Sequence, residues 1–315
     1  MTNIEDKVAN LDAEGLSLKS VSLWQITWRR LFRRLSAVVG MVILGILVII
    51  ALTADLIAPY EYDDVLIGKE DVKSRQAPCI HMFGCPKDQP QHIAGIDGNV
   101  RDEFSRLIYG SRLSLMVGLS TVTFAIIIGT ILGALAGYTG GWVDNIIMRF
   151  MDVLLAFPSL LLAIAIVTVL GPGLINALIA IGIVSIPAYA RVVRASVLSV
   201  REMEYVSATR ALGGNTMHIL FRRIMPNALT PLIVQGTLGI ASAILDAAAL
   251  SFLGLGAQPP QPEWGSMLGA ERNQVFTAPH LVFLPGIAIA LTVLAFNLLG
   301  DGLRDALDPR LAHIS

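Results

Sequence analysis

Residues 204–226 read EYVSATRALGGNTMHILFRRIMP, a polar, arginine-bearing island between long apolar runs. Glu204, Ala208 and Ala211 share one helical face at i, i+4, i+7 spacing. Gly213-Gly214 stops that helix, because glycine readily takes the left-handed conformation needed after a C-terminus. Asn215 suits the N-cap of a second short helix. That helix is expected to carry Met217, Leu220, Phe221 and Ile224 on its apolar side, with Pro226 closing it. The expected product is a helix–turn–helix with small residues at its elbow, so that another surface can approach the backbone closely. Such a segment between apolar runs implies a partner met in water.

Moving outward, 54% of the 315 residues are hydrophobic and only 15% charged. Soluble domains carry about 25% charged residues, so the composition points to an integral membrane protein. A net charge of -1 gives no electrostatic case for nucleic acid. Six apolar runs are expected to span the membrane: 37–57, 113–136, 146–170, 174–189 or a little beyond, 228–250 and 281–299. The first exceeds the roughly 20 residues a hydrocarbon core requires. Arg29, Arg30, Arg33 and Arg34 precede it, which puts the N-terminus in the cytoplasm. Six crossings return the C-terminus to that side, and the 204–226 island with it. Arg191, Arg194, Arg201, Arg210, Arg222 and Arg223 flank or lie in the island and independently favour the same side. The loop 254–279 then falls outside, with Arg272 as its only Lys or Arg. The fold class is all-α with six transmembrane helices.

Residues 1–36 are expected to form a cytoplasmic tail and an interface helix. Val21, Trp24, Trp28 and Leu35 form an apolar stripe beside the four arginines, a pattern that suits a helix lying on membrane lipid. A plain basic flank is the alternative, and a cleaved signal peptide fits poorly because no small-x-small site follows the apolar run. Residues 58–106 are extracytoplasmic and long for a connection, so an ordered subdomain is expected. Cys79 and Cys85 lie there, and a disulfide is favoured outside the cytoplasm. A metal site using Cys79, His81 and Cys85 lacks a fourth ligand and any standard zinc spacing. Two free thiols are the third option. A five-span core with the elbow segment 201–226 occupies 107–303, and 304–315 form a cytoplasmic tail.

There is no Gly-x-x-x-x-Gly-Lys-Ser/Thr run and no nucleophile–histidine–acid pattern. Charge in or near a span usually faces protein or water. Asp152 is expected to pair locally with Arg149. Asp246, Ser242 and Gln235 fall on one flank at i, i-4, i-11, which either lines a translocation path or glues helices together. Asn297 on the sixth span is a weaker path candidate.

The 204–226 island resembles the cytoplasmic coupling loop, or EAA loop, of permease subunits of bacterial and archaeal ABC importers, in the form used by the dipeptide/oligopeptide family. Further matching pieces are RLIYGSRLSL at 106–115; Gly137-Tyr138 with Gly140-Gly141, Asp144, Arg149, Asp152 and Phe157-Pro158; LSFLGLG at 250–256; PEWG at 262–265; and Asn297, GDGLRD at 300–305 and LDPR at 307–310. The likeness runs over roughly 97–310. The long external segment and the tail signature are similar to those of the C-type member of the usual permease pair. Ser207-Ala208-Thr209 stands where the general motif has Glu-Ala-Ala, and Met225 replaces the usual Leu.

The resemblance implies a multi-pass protein of the cell inner membrane with four kinds of neighbour: a second, unlike permease, two cytoplasmic ATPases, an extracytoplasmic solute-binding protein, and lipid. ATP and Mg belong to the ATPases, so this chain is expected to hold no cofactor or metal and to catalyse no reaction. Glu204, Ala208, Arg210, Gly213, Gly214 and Pro226 would meet the ATPases, and the spans would alternate their access to the two sides. The cargo implied is di- or oligopeptide, with nickel chelates or oligosaccharides as the alternative within the same architecture. An ion-gradient-driven transporter would call for broken helices or ionisable relays at mid-membrane, of which Asp246 is the single hint. A membrane-anchored enzyme built on 59–106 has no catalytic constellation to support it.

Overall fold

The computed structural model describes residues 28–307, and every regular element in that range is helical. The expected surface helix lies mostly outside the described residues, as do residues 308–315. Helix α1 (Leu35–Leu52) runs into the short α2 (Ala54–Ile57). Then follow α3 (Glu103–Thr139), α4 (Gly141–Leu155), α5 (Ser159–Leu170), α6 (Leu174–Arg201), α7 (Glu204–Ala211), α8 (Thr216–Ile219), α9 (Met225–Phe252), α10 (Trp264–Ala270) and α11 (His280–Leu307). Five helices are long and apolar enough to cross a membrane, and α4 with α5 makes a sixth if the bent pair counts as one span.

That bend corrects the expectation of a continuous third span over 146–170. The axes of α4 and α5 meet at 92°. Pro158 supplies no N–H to a helical ladder and pushes Phe157 out of the helical region, so the run is interrupted there despite its apolar composition.

The core is built on α3 against α6. Gly129, Gly133 and Gly137 recur every four residues along α3 and face Tyr189, Val193 and Val197 of α6. A Cβ on Gly129 would sit 2.7 Å from the Tyr189 Cβ, and one on Gly137 would sit 2.9 Å from the Arg194 carbonyl oxygen. Without hydrophobic drive between helices in lipid, small residues gain packing by bringing the backbones together. Val193 and Val197 are fully buried there. By contrast Val42, Ile46 and Ile49 of α1 stay exposed, as a lipid-facing surface requires.

Arginines of α6 tie α3 and α4 to it near the helix ends. Arg194 donates two bonds to Asp144 of α4, at 2.5 and 2.6 Å. Asp152 pairs with Arg191 of α6 at 2.6 Å. This corrects the local Arg149–Asp152 pair, because once α4 packs beside α6 a cross-helix arginine is the nearer cation. Arg201 donates to the carbonyls of Gly137 and Tyr138, both at 3.1 Å, and so satisfies the C-terminal end of α3.

At the other end, residues 58–102 form a small cap, mostly irregular with one 3-10 turn at His81–Phe83, around buried Leu66, Ile96 and Val100. His92 is buried at its base, with Nδ1 2.7 Å from Asp102 Oδ1 and Nε2 3.1 Å from Glu70 Oε2. Tyr60 stacks on the imidazole and donates its hydroxyl to Glu70 at 2.7 Å. Burial pushes the His92 pKa down, but the hydrogen bonds and charges of Asp102 and Glu70 outweigh it, and the pKa lies above the ordinary 6.5. Asp102 is also the N-cap of α3, accepting from the Ser105 N–H at 2.7 Å. Glu271 fastens the cap to the segment after α10 by accepting from Arg75 Nε at 2.8 Å and from the Gly98 N–H at 3.0 Å. Cys79 and Cys85 are joined by a disulfide, with Cα atoms 5.4 Å apart.

Candidate functional site

Two places collect the residues singled out by the sequence: the elbow between α6 and α9, and the inner flank of α9. At the elbow, α7 ends at Ala211 with Leu212 as its C-cap, and Gly213 takes a left-handed φ of +79°. The Gly214 N–H closes the turn on the Thr209 carbonyl at 3.0 Å. A Cβ on Gly214 would lie 2.7 Å from that same carbonyl oxygen, so the turn needs both glycines for different reasons. Asn215 caps α8 by accepting from the Met217 N–H at 3.1 Å.

Beyond α8 the chain makes a π turn over Leu220–Ile224 and continues directly into α9. Pro226 therefore does not close a helix; it lies within the continuous helical run, directly after the π turn and in the first turn of the 28-residue α segment α9. The π turn also changes which side is apolar. Ile219 and Ile224 are buried, five residues apart as a π ladder requires, while Met217 and Phe221 are 63% and 66% exposed. A 3.6-residue period had placed those two inward.

Glu204, Ala208 and Arg210 are exposed on α7, next to Leu212, itself 89% exposed. Tyr205, which the sequence reading passed over, holds the two arms together. Its hydroxyl donates to the Arg223 carbonyl at 3.2 Å and accepts from Asn227 Nδ2 at 3.0 Å. No acidic partner within ion-pair distance of Arg210, Arg222 or Arg223 occurs among the described residues. The elbow thus presents cationic and apolar side chains together.

The path candidates do not form one site. Gln235 lines a cavity of about 980 Å³ between α6, α9 and the end of α11. Its polar lining also includes Ser196, Ser199, Asn227, Thr230 and Arg304. Asp246, Ser242 and Asn297 are not among its lining residues. Eleven residues of helix separate Gln235 from Asp246, about 16 Å of rise, so a shared flank does not make a shared pocket. Ser242 and Asn297 are exposed, and Asp246 is half-buried. The lining residues of α6 and α11 carried no period linking them to α9; only the packing brings them together.

The described residues thus hold a bundle of helices long and apolar enough to cross a membrane, with an exposed elbow between two of them. The family described as "Binding-protein-dependent transport system inner membrane component" matches residues 129–313, and "N-terminal TM domain of oligopeptide transport permease C" matches 22–78. The dipeptide transport system permease protein DppC of Alkalihalophilus pseudofirmus is 48% identical over 93% of this chain and 91% of that protein. The di/tripeptide transport system permease protein DppC of Pseudomonas aeruginosa is 47% identical over 96% and 98%. The glutathione transport system permease protein GsiD of Pectobacterium atrosepticum is 45% identical over 91% of each. Among solved structures, the inward-facing MetNI methionine ABC transporter shares the fold, with a TM-score of 0.52 at 19% identity over 65% of this chain and 97% of that one.

The chain belongs to the binding-protein-dependent transport system inner membrane component family. It is a multi-pass inner-membrane permease subunit of an ABC importer, a class that works with ATPase and binding-protein partners.

Proposed function

We propose that this permease pairs with a second, unlike permease to carry short peptides, and that residues 204–226 are its cytoplasmic contact with the two ATPases. One observation carries the reading: the second arm of the elbow and α9 form one continuous helical run, Thr216–Phe252, and α9 lines the large cavity. A rigid-body motion imposed at the elbow is transmitted directly to the cavity wall.

Within this reading Glu204, Ala208 and Arg210 face the ATPase, and exposed Leu212, Met217 and Phe221 enter its surface. Gly213 and Gly214 let the two backbones come close, and Pro226 starts the transmitting helix. ATP and Mg stay on the ATPases, so this chain does no chemistry. Nucleotide binding and hydrolysis alter the ATPase spacing, and a conformational equilibrium follows only because the two states differ in binding free energy. Peptide cargo is supported by the names of the relatives. It is also supported by a cavity within the roughly 300–1,000 Å³ range of small-ligand sites, whose amide and hydroxyl side chains suit backbone amides and whose Arg304 suits a carboxylate. Gln235 belongs to that wall; Asp246 and Ser242 are assigned to a separate polar flank of α9 on its outer side, and Asn297 to the cytoplasmic end of α11.

The test is uptake by a strain lacking its own peptide importers. Labelled dipeptide accumulates only when both permeases, the ATPases and the binding protein are present, and excess nickel chelate or oligosaccharide does not compete. Accumulation driven by an ion gradient without the ATPases overturns the reading. So does labelling of a Ser207→Cys variant by an impermeant maleimide added outside.

A further inference from the structure

The cap carries one feature that the coupling reading leaves unused. Between Cys79 and Cys85 the chain makes a single 3-10 turn, His81–Phe83, closed by the disulfide and by Gly84 at a left-handed φ of +97°. Met82 and Phe83 sit at its tip, 88% and 82% exposed. Two large apolar side chains are thereby held in water on a covalently closed knuckle.

The base of the knuckle is fixed as firmly as its tip is bare. Cys79 and His92 exchange backbone hydrogen bonds at 2.9 and 3.0 Å. The His92 ring is bound to Asp102, and Asp102 caps α3. Helix α3 packs on α6, whose last residue lies three positions before the elbow helix α7. An unbroken set of contacts therefore runs from the knuckle to the elbow.

We infer that the Cys79–Cys85 knuckle is a docking contact for the solute-binding protein, inserting Met82 and Phe83 into an apolar recess on it. The inference rests on the orientation given under the proposed function, which puts the cap outside. The family is binding-protein-dependent, and that partner approaches from the outside. A lipid surface is the other apolar candidate, but residues 58–106 hold nine acidic and six basic side chains, a balance of -3 that anionic headgroups repel.

The test uses the complete transporter in lipid nanodiscs and the binding protein loaded with dipeptide. Met82→Ser with Phe83→Ser leaves the cap fold intact, because neither side chain is packed. The expected result is a dissociation constant for the binding protein raised about tenfold or more, with basal ATPase rate unchanged and stimulation lost at binding-protein concentrations that saturate the wild type. A photo-crosslinking amino acid in place of Phe83 yields an adduct with the binding protein. Affinity within about twofold of wild type, where no anchor has been lost, or adducts only to lipid or to the second permease, overturns the inference. If the wild-type transporter itself shows no stimulation by the binding protein, it is the proposed function that fails.

Discussion

Replacing Gly133 by alanine tests whether the α3–α6 contact sets the core. A Cβ at that position would lie 3.0 Å from the Val193 Cβ and still closer to the Ala190 carbonyl oxygen. Carbon atoms pack comfortably at about 3.5–4.0 Å, so the helices must separate by at least about 0.5 Å. Overpacking of this kind costs about 1–3 kcal/mol. Alanine also gains about 1 kcal/mol over glycine in intrinsic helix propensity, which would mask part of the loss. Gly45 of α1 supplies the control, since nothing lies within 4 Å of its added Cβ. Gly45→Ala is expected to be neutral or mildly stabilising, and Gly133→Ala to fall about 1–3 kcal/mol below it. Denaturant titration of the purified subunit in detergent measures the difference. Equal stability of the two variants would refute the close-packing argument.

Other expectations follow from single contacts. His92 has a raised pKa, so its contribution to the cap is full below 6.5 and is lost as pH rises through the raised value; amide exchange across residues 60–102 should speed up on that alkaline side, and His92→Gln should flatten the profile. Tyr205→Phe removes the bonds to Arg223 and Asn227; a cost of about 1 kcal/mol is expected, read as less peptide transported per ATP with membrane insertion unchanged. Asp144→Asn weakens the bidentate pair with Arg194, and a thermal-stability loss of about 1 kcal/mol is expected after allowing for partial exposure; the exchange Asp144→Arg with Arg194→Asp should restore part of it.

Much of this architecture is legible in the sequence because membrane spans are long and their signal is composition rather than fine periodicity. The elbow is legible for another reason: Gly213 and Asn215 are local backbone devices whose meaning needs no tertiary context. What escaped depends on ladder register or on packing across the bundle. Pro226 reads as a terminator, yet the helical run 216–252 passes through it, and only the π turn upstream shows that the helix is already running. Phe157-Pro158 lies inside an apolar stretch, where hydropathy hides a 92° bend. Asp152 finds Arg191 rather than Arg149 because α6 comes alongside, and Ser196, Ser199 and Arg304 meet Gln235 for the same reason.

The π turn at Leu220–Ile224 has a consequence for how this chain can vary. Each residue of an α-helix advances about 100° around the axis and 1.5 Å along it. Removing one residue from the π turn would let the ladder run as plain α-helix, barely shortening the rod. Because a π turn spends one more residue per turn than an α turn does, that deletion would leave Glu204 facing nearly as it does now, whereas removing a residue from the plain α ladder of α9 would swing the elbow about 100° around the rod. Along α9, then, chain length is a compass setting, while the π turn is a place where a single residue can be lost without re-aiming the elbow.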